Sequence, residues 1–136
     1  MSENDRDNRR VLRTVEDARQ YIEVEKGDIE AKIFNVDHYY RDTTFTPLNA
    51  AVIDGRLDIC RYLIEKGADI SKRDRYGSTL LHYAARNGHL EVTDWFLSHK
   101  PNMINEKDND GKTALHEAAM NGRVEVVNSL INKNAN

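Results

Sequence analysis

Apolar residues recur along this chain in short stripes that have the spacing of an amphipathic helix. Residues three or four positions apart lie on one face of a helix, so each stripe predicts a helix with an apolar face to bury. The three stripes are Leu57, Ile59, Cys60, Leu63 and Ile64; Leu90, Val92, Phe96 and Leu97; and Val124, Val126, Val127, Leu130 and Ile131.

A shorter helix is predicted ahead of each stripe. A threonine begins each of these helices, because its hydroxyl can accept a hydrogen bond from an unpaired N–H of the first turn. A glycine ends each one, because glycine readily adopts the left-handed backbone conformation that often follows a helix. The threonines are Thr46, Thr79 and Thr113, 33 and then 34 positions apart, and the glycines are Gly55, Gly88 and Gly122. This fixed period predicts a solenoid of stacked helix pairs.

The repeated motifs resemble those of the ankyrin repeat. They include Gly77-Ser78-Thr79-Leu80-Leu81-His82 and its copy Gly111-Lys112-Thr113-Ala114-Leu115-His116. The resemblance covers about residues 44–136 and implies an all-α solenoid of stacked helix-turn-helix units. Asn49 departs from the resemblance, because the family has histidine there. Lys100-Pro101-Asn102-Met103 also departs, and we expect its loop to differ in shape from the loop one repeat earlier.

The repeats divide the chain into five segments. Residues 1–12 are polar and predict a disordered lead-in, and residues 13–43 predict a degenerate N-terminal capping repeat. Ankyrin repeats are expected at 44–76 and at 77–110. The final repeat occupies 111–136, where it is either uncapped or truncated from a longer chain.

Composition excludes several classes of function. Acidic and basic residues are well mixed and the net charge is -3, which argues against a nucleic-acid or membrane surface. Cys60 is the only cysteine and the N-terminus has no apolar signal segment, so an intracellular protein, cytoplasmic or nuclear, is expected. Residues 106–117 imitate a calcium loop, but a repeat turn explains their acidic residues without metal. No metal and no cofactor are expected.

The resemblance implies a binding site for another protein on a concave surface made of turn tips and first helices. The expected contacts are Ile53, Asp54, Arg75, Tyr76, Ser78, Tyr83, Arg86, Asn87, Asn109, Asp110, Lys112, Met120 and Asn121. Tyrosine and arginine are common binding hot spots. We therefore expect Tyr83 and Arg86 to lie exposed and to contribute to binding, with little effect on stability.

Three functions are compatible with this organisation. The first is a non-catalytic protein-binding module, either an adaptor or an inhibitor. The second is an ankyrin fragment of a larger protein, or a structural element that self-associates. The third is an enzyme, for which no nucleophile–base pair or nucleotide loop is evident in the sequence. A monomer is expected, and the alternative is a homodimer through the exposed last repeat.

Overall fold

The computed structural model describes Glu16, Arg19, residues 46–133 and Ala135. The regular secondary structure of these residues is helical, as predicted. The predicted lead-in at 1–12, and all of the predicted capping repeat except Glu16 and Arg19, lie outside the described residues. The helices are α1 (Pro47–Ile53), α2 (Leu57–Glu65), α3 (Leu80–Arg86), α4 (Leu90–His99), α5 (Ala114–Met120) and α6 (Val124–Asn132), with a 3-10 helix at Pro101–Asn105.

Each first helix begins with a reciprocal cap between a threonine and the side chain three residues later. The Thr79 hydroxyl accepts from the backbone N–H of His82, and His82 Nδ1 accepts from the Thr79 N–H at 3.1 Å. Thr113 and His116 repeat this arrangement. At Thr46 the Asn49 side-chain oxygen replaces the imidazole nitrogen and accepts the same N–H at 2.9 Å. The departure at Asn49 therefore preserves the cap, because a helix start needs any suitable acceptor at that position.

The predicted terminating glycines have left-handed backbone conformations. Gly55, Gly88 and Gly122 have φ values of 70°, 73° and 68°. The residue after each glycine donates its N–H back into the helix, as His89 does to the Ala84 carbonyl at 3.0 Å. This bond satisfies a carbonyl that the helix end leaves unpaired and lets the second helix start at once.

The described residues divide into two compact units, the first ending at Ile70 and the second beginning at Ser71. In the first unit α1 packs against α2, and the thiol of Cys60 is fully buried between apolar neighbours on the helix stripe. Burial disfavours the thiolate and raises the pKa of Cys60 to about 12. The buried apolar side chains of the two helices are Leu48, Ala51, Val52, Ile59, Cys60 and Leu63.

The second unit contains two helix pairs. The first helices α3 and α5 pack together, as do the second helices α4 and α6. The 3-10 helix packs against α4 and α5 and buries Met103, and residues 67–70 of the preceding repeat contain no such helix. The expected difference between these two loops is confirmed. The core of this unit includes Leu80, Leu81, Ala84, Ala85, Val92, Phe96, Leu97, Met103, Ala114, Ala118, Val126 and Leu130.

Candidate functional site

Two turn tips of the second unit are shaped by inward-facing carboxylates. Asp74 accepts the N–H groups of Tyr76 and Ser78, both at 2.9 Å. Asp108 accepts those of Asp110 and Lys112 at the same distance. Partial burial raises the pKa of Asp108, but the hydrogen bonds from these two N–H groups outweigh it, so the pKa is lowered overall. The acids thus stabilise the turns and do not point towards a partner.

The two tips are also bonded to each other through main-chain atoms. Asn109 donates its backbone N–H to the Tyr76 carbonyl at 3.0 Å and its side-chain amide to the Arg75 carbonyl at 3.2 Å. Arg73 crosses between the tips and donates to the Lys107 carbonyl at 2.7 Å. Gly77, at φ 77°, faces this contact, and a Cβ there would lie 3.0 Å from the Asn109 backbone nitrogen. The tips therefore form one fixed edge.

Most side chains on this edge are exposed to solvent. The Tyr76 side chain is 60% exposed, and the Arg75 guanidinium lies 5.3 Å from its ring centroid. Asp110 and Asn109 are exposed and Lys112 is half-buried. The edge thus combines an aromatic ring with charges of both signs, on a backbone that is already ordered. We name these five residues, Arg75, Tyr76, Asn109, Asp110 and Lys112, the tip surface.

Two of the predicted contact residues are buried. Tyr83 is 4% exposed, its hydroxyl donates to the Asp74 carboxylate, and the Arg86 guanidinium lies 5.2 Å from its ring centroid. Ser78 is buried as well, and its N–H is used by Asp74. The expectation that Tyr83 is exposed was wrong, because its side chain is long enough to reach back from the helix to the Asp74 carboxylate.

Arg86 is half-buried in an ion pair that joins the two first helices. Its Nε and Nη2 atoms donate to the two carboxylate oxygens of Glu117 at 3.0 and 3.2 Å. Glu117 is buried, and Lys112 Nζ lies 3.7 Å from the same carboxylate. In addition His82 Nε2 hydrogen-bonds the Lys112 carbonyl at 2.7 Å. These contacts show that Arg86 connects repeats, a role that its position on the helix did not predict.

Asn87 and Asn121 occupy equivalent places at the ends of α3 and α5. The side-chain amide of each donates to the carbonyl four residues earlier, at 2.8 Å in both cases. These asparagines therefore close helix ends, with Asn87 half-buried and Asn121 exposed. Met120 is exposed at the end of α5. In the first unit, Ile53 is half-buried and Asp54 is exposed.

Asp74 and Glu117 organise the site but were absent from the predicted set. A signal for Asp74 was available, because an aspartate recurs at Asp108, 34 positions later and at the same place before a glycine. The signal for Glu117 was its negative charge, because the preceding first helix carries the positive charge of Arg86. Within the described residues, no three His, Cys, Asp or Glu side chains cluster closely enough to hold a metal ion. None of the helices described there is long and apolar enough to cross a membrane.

Comparison with known proteins agrees with this architecture. The family described as ankyrin repeats in many copies matches residues 48–97 and 88–131. The chain is 39% identical over 74 residues to the nuclear factor NF-kappa-B p105 subunit of Rattus norvegicus, which covers 54% of the chain and 7% of that protein. It is 44% identical over 48 residues to ankyrin repeat domain-containing protein 39 of Homo sapiens, covering 35% of the chain and 26% of that protein.

A third relative is the probable E3 ubiquitin-protein ligase XBOS33 of Oryza sativa subsp. japonica, 43% identical over 58 residues, covering 43% of the chain and 11% of that protein. The chain thus spans about a quarter or less of the length of these three relatives. The family match extends over more than half of the chain and coincides with the capped helix pairs. This protein therefore belongs to the ankyrin repeat family.

Proposed function

We propose that this chain is a non-catalytic module that binds another protein across its tip surface, as an adaptor or an inhibitor. Ankyrin repeats are in general protein-interaction modules. The observation that carries the proposal is the exposed ring of Tyr76. The ring lies on an edge where the two turn tips are hydrogen-bonded to each other through backbone atoms. Aromatic and arginine side chains in such places often dominate binding energies.

A fixed edge favours binding because a partner does not have to order it. Immobilising loops and side chains is part of the cost of association, and an edge ordered beforehand avoids part of it. The two hydrogen bonds from Asn109 and the bond from Arg73 to the Lys107 carbonyl supply this order at the tips. A partner can then bind the side chains of Arg75, Tyr76 and Asp110 without the cost of ordering the backbone that carries them.

The predicted helix residues contribute less to this surface. Arg86 already uses two donors on Glu117, and the Tyr83 hydroxyl is taken by Asp74. We assign direct contact to the tip surface. Met120 and Asn121, at the other end of α5, stay candidate contacts. Ile53 and Asp54 belong to the first unit, where they stay candidate contacts independent of the tip surface. The alternative role of a self-associating element is favoured by exposed apolar side chains of the last helix pair, Val124 and Ile131.

The proposal is tested in two stages, which are capture from the native cell extract and then calorimetry with a purified candidate. A photo-crosslinking amino acid replaces Tyr76 in the whole chain, and the matched control places it at Trp95 on α4. Proteins captured at Tyr76 and not at Trp95 are taken as candidates. Calorimetry with the purified candidate then compares Tyr76→Ala with the native chain, and we expect at least ~10-fold weaker binding, about 1.4 kcal/mol.

The stability of Tyr76→Ala provides the control for this measurement. The side chain is exposed, so the change in the free energy of unfolding should stay within about 0.5 kcal/mol. Equal capture at both positions, or affinity unchanged by Tyr76→Ala, would contradict the assignment of the tip surface.

A further inference from the structure

The outer side of the last described helix pair carries a set of exposed residues that is apolar and uncharged at the centre. Met120 and Val124 are each 67% exposed, and Ile131 is 54% exposed. They are three of the four large hydrophobic side chains that lie exposed among the described residues. We name six exposed residues of α5 and α6 the end face: His116, Ala119, Met120, Val124, Asn128 and Ile131.

The chain itself shows what happens at these positions when they are covered. The residues 34 positions earlier lie on α3 and α4, which pack against α5 and α6. None of these residues is exposed: His82, Ala85, Arg86, Leu90, Asp94 and Leu97. His82 is fully buried with Nε2 on the Lys112 carbonyl, and Leu97 is buried too. Their counterparts His116 and Ile131 have the same cap and helix positions but face outward. The end face thus has the geometry of a surface that another element covers.

The end face lacks the two charged side chains that the covered surface uses for its contacts. Arg86 pairs with Glu117 of the following helix pair, and Asp94 accepts from Ser129 at 2.7 Å and from Lys133 at 3.1 Å. The end face has Met120 in place of the arginine and Asn128 in place of the aspartate. Suppose that a further helix pair with the same residues as α5 and α6 packed on the end face. Its equivalent of Glu117 would then be buried against Met120, with no arginine to pair with. Leaving such a charge unpaired is costly, so this occupant does not fit.

We propose that a second copy of this chain covers the end face about a two-fold axis. In a two-fold interface each patch meets its own copy, so a charged centre would place like charges together. The end face avoids this, because its central side chains are Ala119, Val124 and Ile131. Asn128 suits self-pairing, since its amide both donates and accepts where a carboxylate only accepts.

The nearest charged side chains are compatible with this arrangement. Arg123 points towards the body of the unit and donates to the Arg86 carbonyl at 2.9 Å. Glu125 is exposed, and its counterpart Glu91 stays exposed even though the helices beside it are covered. Glu125 therefore lies outside the area that the second copy buries. The end face shares no residue with the tip surface, so the test of one surface can fail while the test of the other succeeds.

Sedimentation equilibrium of the whole chain over a range of concentrations tests the proposal. We expect a reversible species of twice the 15.7 kDa mass of one chain. Val124→Lys combined with Ile131→Lys should weaken dimerisation by at least ~10-fold, because it places lysines of the two copies against each other. The matched control is Ser98→Lys combined with Asn102→Lys, which also adds two lysines at exposed residues but leaves the end face intact. It should dimerise like the native chain.

A spectroscopic measurement on the unmodified chain gives an independent readout. The imidazole proton resonances of His116 should shift with protein concentration, whereas those of His99, which is stacked on Trp95 of α4, should not. A native chain that stays monomeric, a dimer that the double lysine variant leaves unchanged, or a shift at His99 alone would overturn the proposal. Oligomers that grow steadily with concentration would overturn it too, because a two-fold contact closes at two copies.

Discussion

The first helices and the turn tips of the second unit use their side chains in opposite ways. On α3, the side chains of Tyr83 and Arg86 hold the unit together, through Asp74 at the tip and Glu117 on the next helix. At the tips, the main chain and inward-facing carboxylates hold the turns, and Arg75 and Tyr76 remain exposed. Position on a repeat therefore does not decide whether a side chain is available to a partner. What decides it is whether backbone atoms already supply the contacts that order the region.

The largest expected effect comes from a charge placed in the helix packing itself. Ala84 on α3 is fully buried, and Ala84→Asp would bury a carboxylate with no partner. We expect a loss of about 3 kcal/mol or more in the free energy of unfolding, measured by urea denaturation. The matched control is Asn102→Asp, at an exposed residue of the 3-10 helix, which should change it by less than about 0.5 kcal/mol. Similar losses in both variants would mean that the helix packing is not what the aspartate disturbs.

Tyr83 separates the two regions most directly, because it belongs to a helix and bonds to a tip. Tyr83→Ala should cost about 3 kcal/mol of stability, since it removes a buried aromatic ring. Tyr83→Phe keeps the ring and should cost about 1 kcal/mol, through the lost hydrogen bond to Asp74. Thermal unfolding of both variants measures the difference. If Tyr83→Ala unfolded like the native chain, the original expectation of an exposed contact residue would be restored.

The pair of Arg86 and Glu117 tests how the first helices are joined. Glu117→Gln keeps the shape of the side chain and removes its charge, so Arg86 loses its anionic partner in a half-buried place. We expect a loss of about 1 to 2 kcal/mol in the free energy of unfolding. Glu125→Gln, an exposed glutamate on α6, serves as the control and should have almost no effect. A double variant with Arg86→Met should recover part of the loss, because it removes the unpaired cation as well.

The smallest effect concerns the tip carboxylates. The pKa of Asp108 is lowered in the folded protein, so its contribution to stability is present above its unfolded pKa of about 3.9 and is lost as the pH falls below it. Asp108→Asn keeps an oxygen acceptor and removes this titration. Denaturation curves at neutral and acidic pH should therefore show a smaller acid loss for the variant than for the native chain. An identical acid loss in both would show that the carboxylate does not stabilise the turn.

The parts of this fold that depend on neighbouring residues were predictable from the sequence. Thr79 and Gly88 mark the start and end of a helix because capping involves atoms only a few residues away. The stripe from Leu90 to Leu97 identifies a buried face for the same reason. The division into helix pairs and the family resemblance both rest on such local signals, and both are confirmed.

The fate of individual site residues was less predictable, because it depends on how far a side chain reaches. Tyr83 was placed on the correct helix, but its hydroxyl meets a carboxylate nine positions away. Arg86 finds its partner 31 positions away, across the packing of two helices. Asn49 shows the reverse case, a departure from the family motif that keeps the cap, because an amide oxygen stands where an imidazole nitrogen would. For Tyr83 and Arg86 the outcome depends on three-dimensional distances that no local pattern contains, whereas the cap at Asn49 is local.

The buried thiol of Cys60 can serve as a chemical probe of how often the first unit opens. Oxidation and alkylation of cysteine proceed through the thiolate, which a pKa of about 12 makes scarce at neutral pH, and the sulfur of Cys60 is also out of reach of reagents. Chemical damage at this position must therefore wait for the packing around Cys60 to open. The rate at which a thiol reagent consumes Cys60 then reports how often the first unit opens, in a chain that has no second cysteine to confuse the signal.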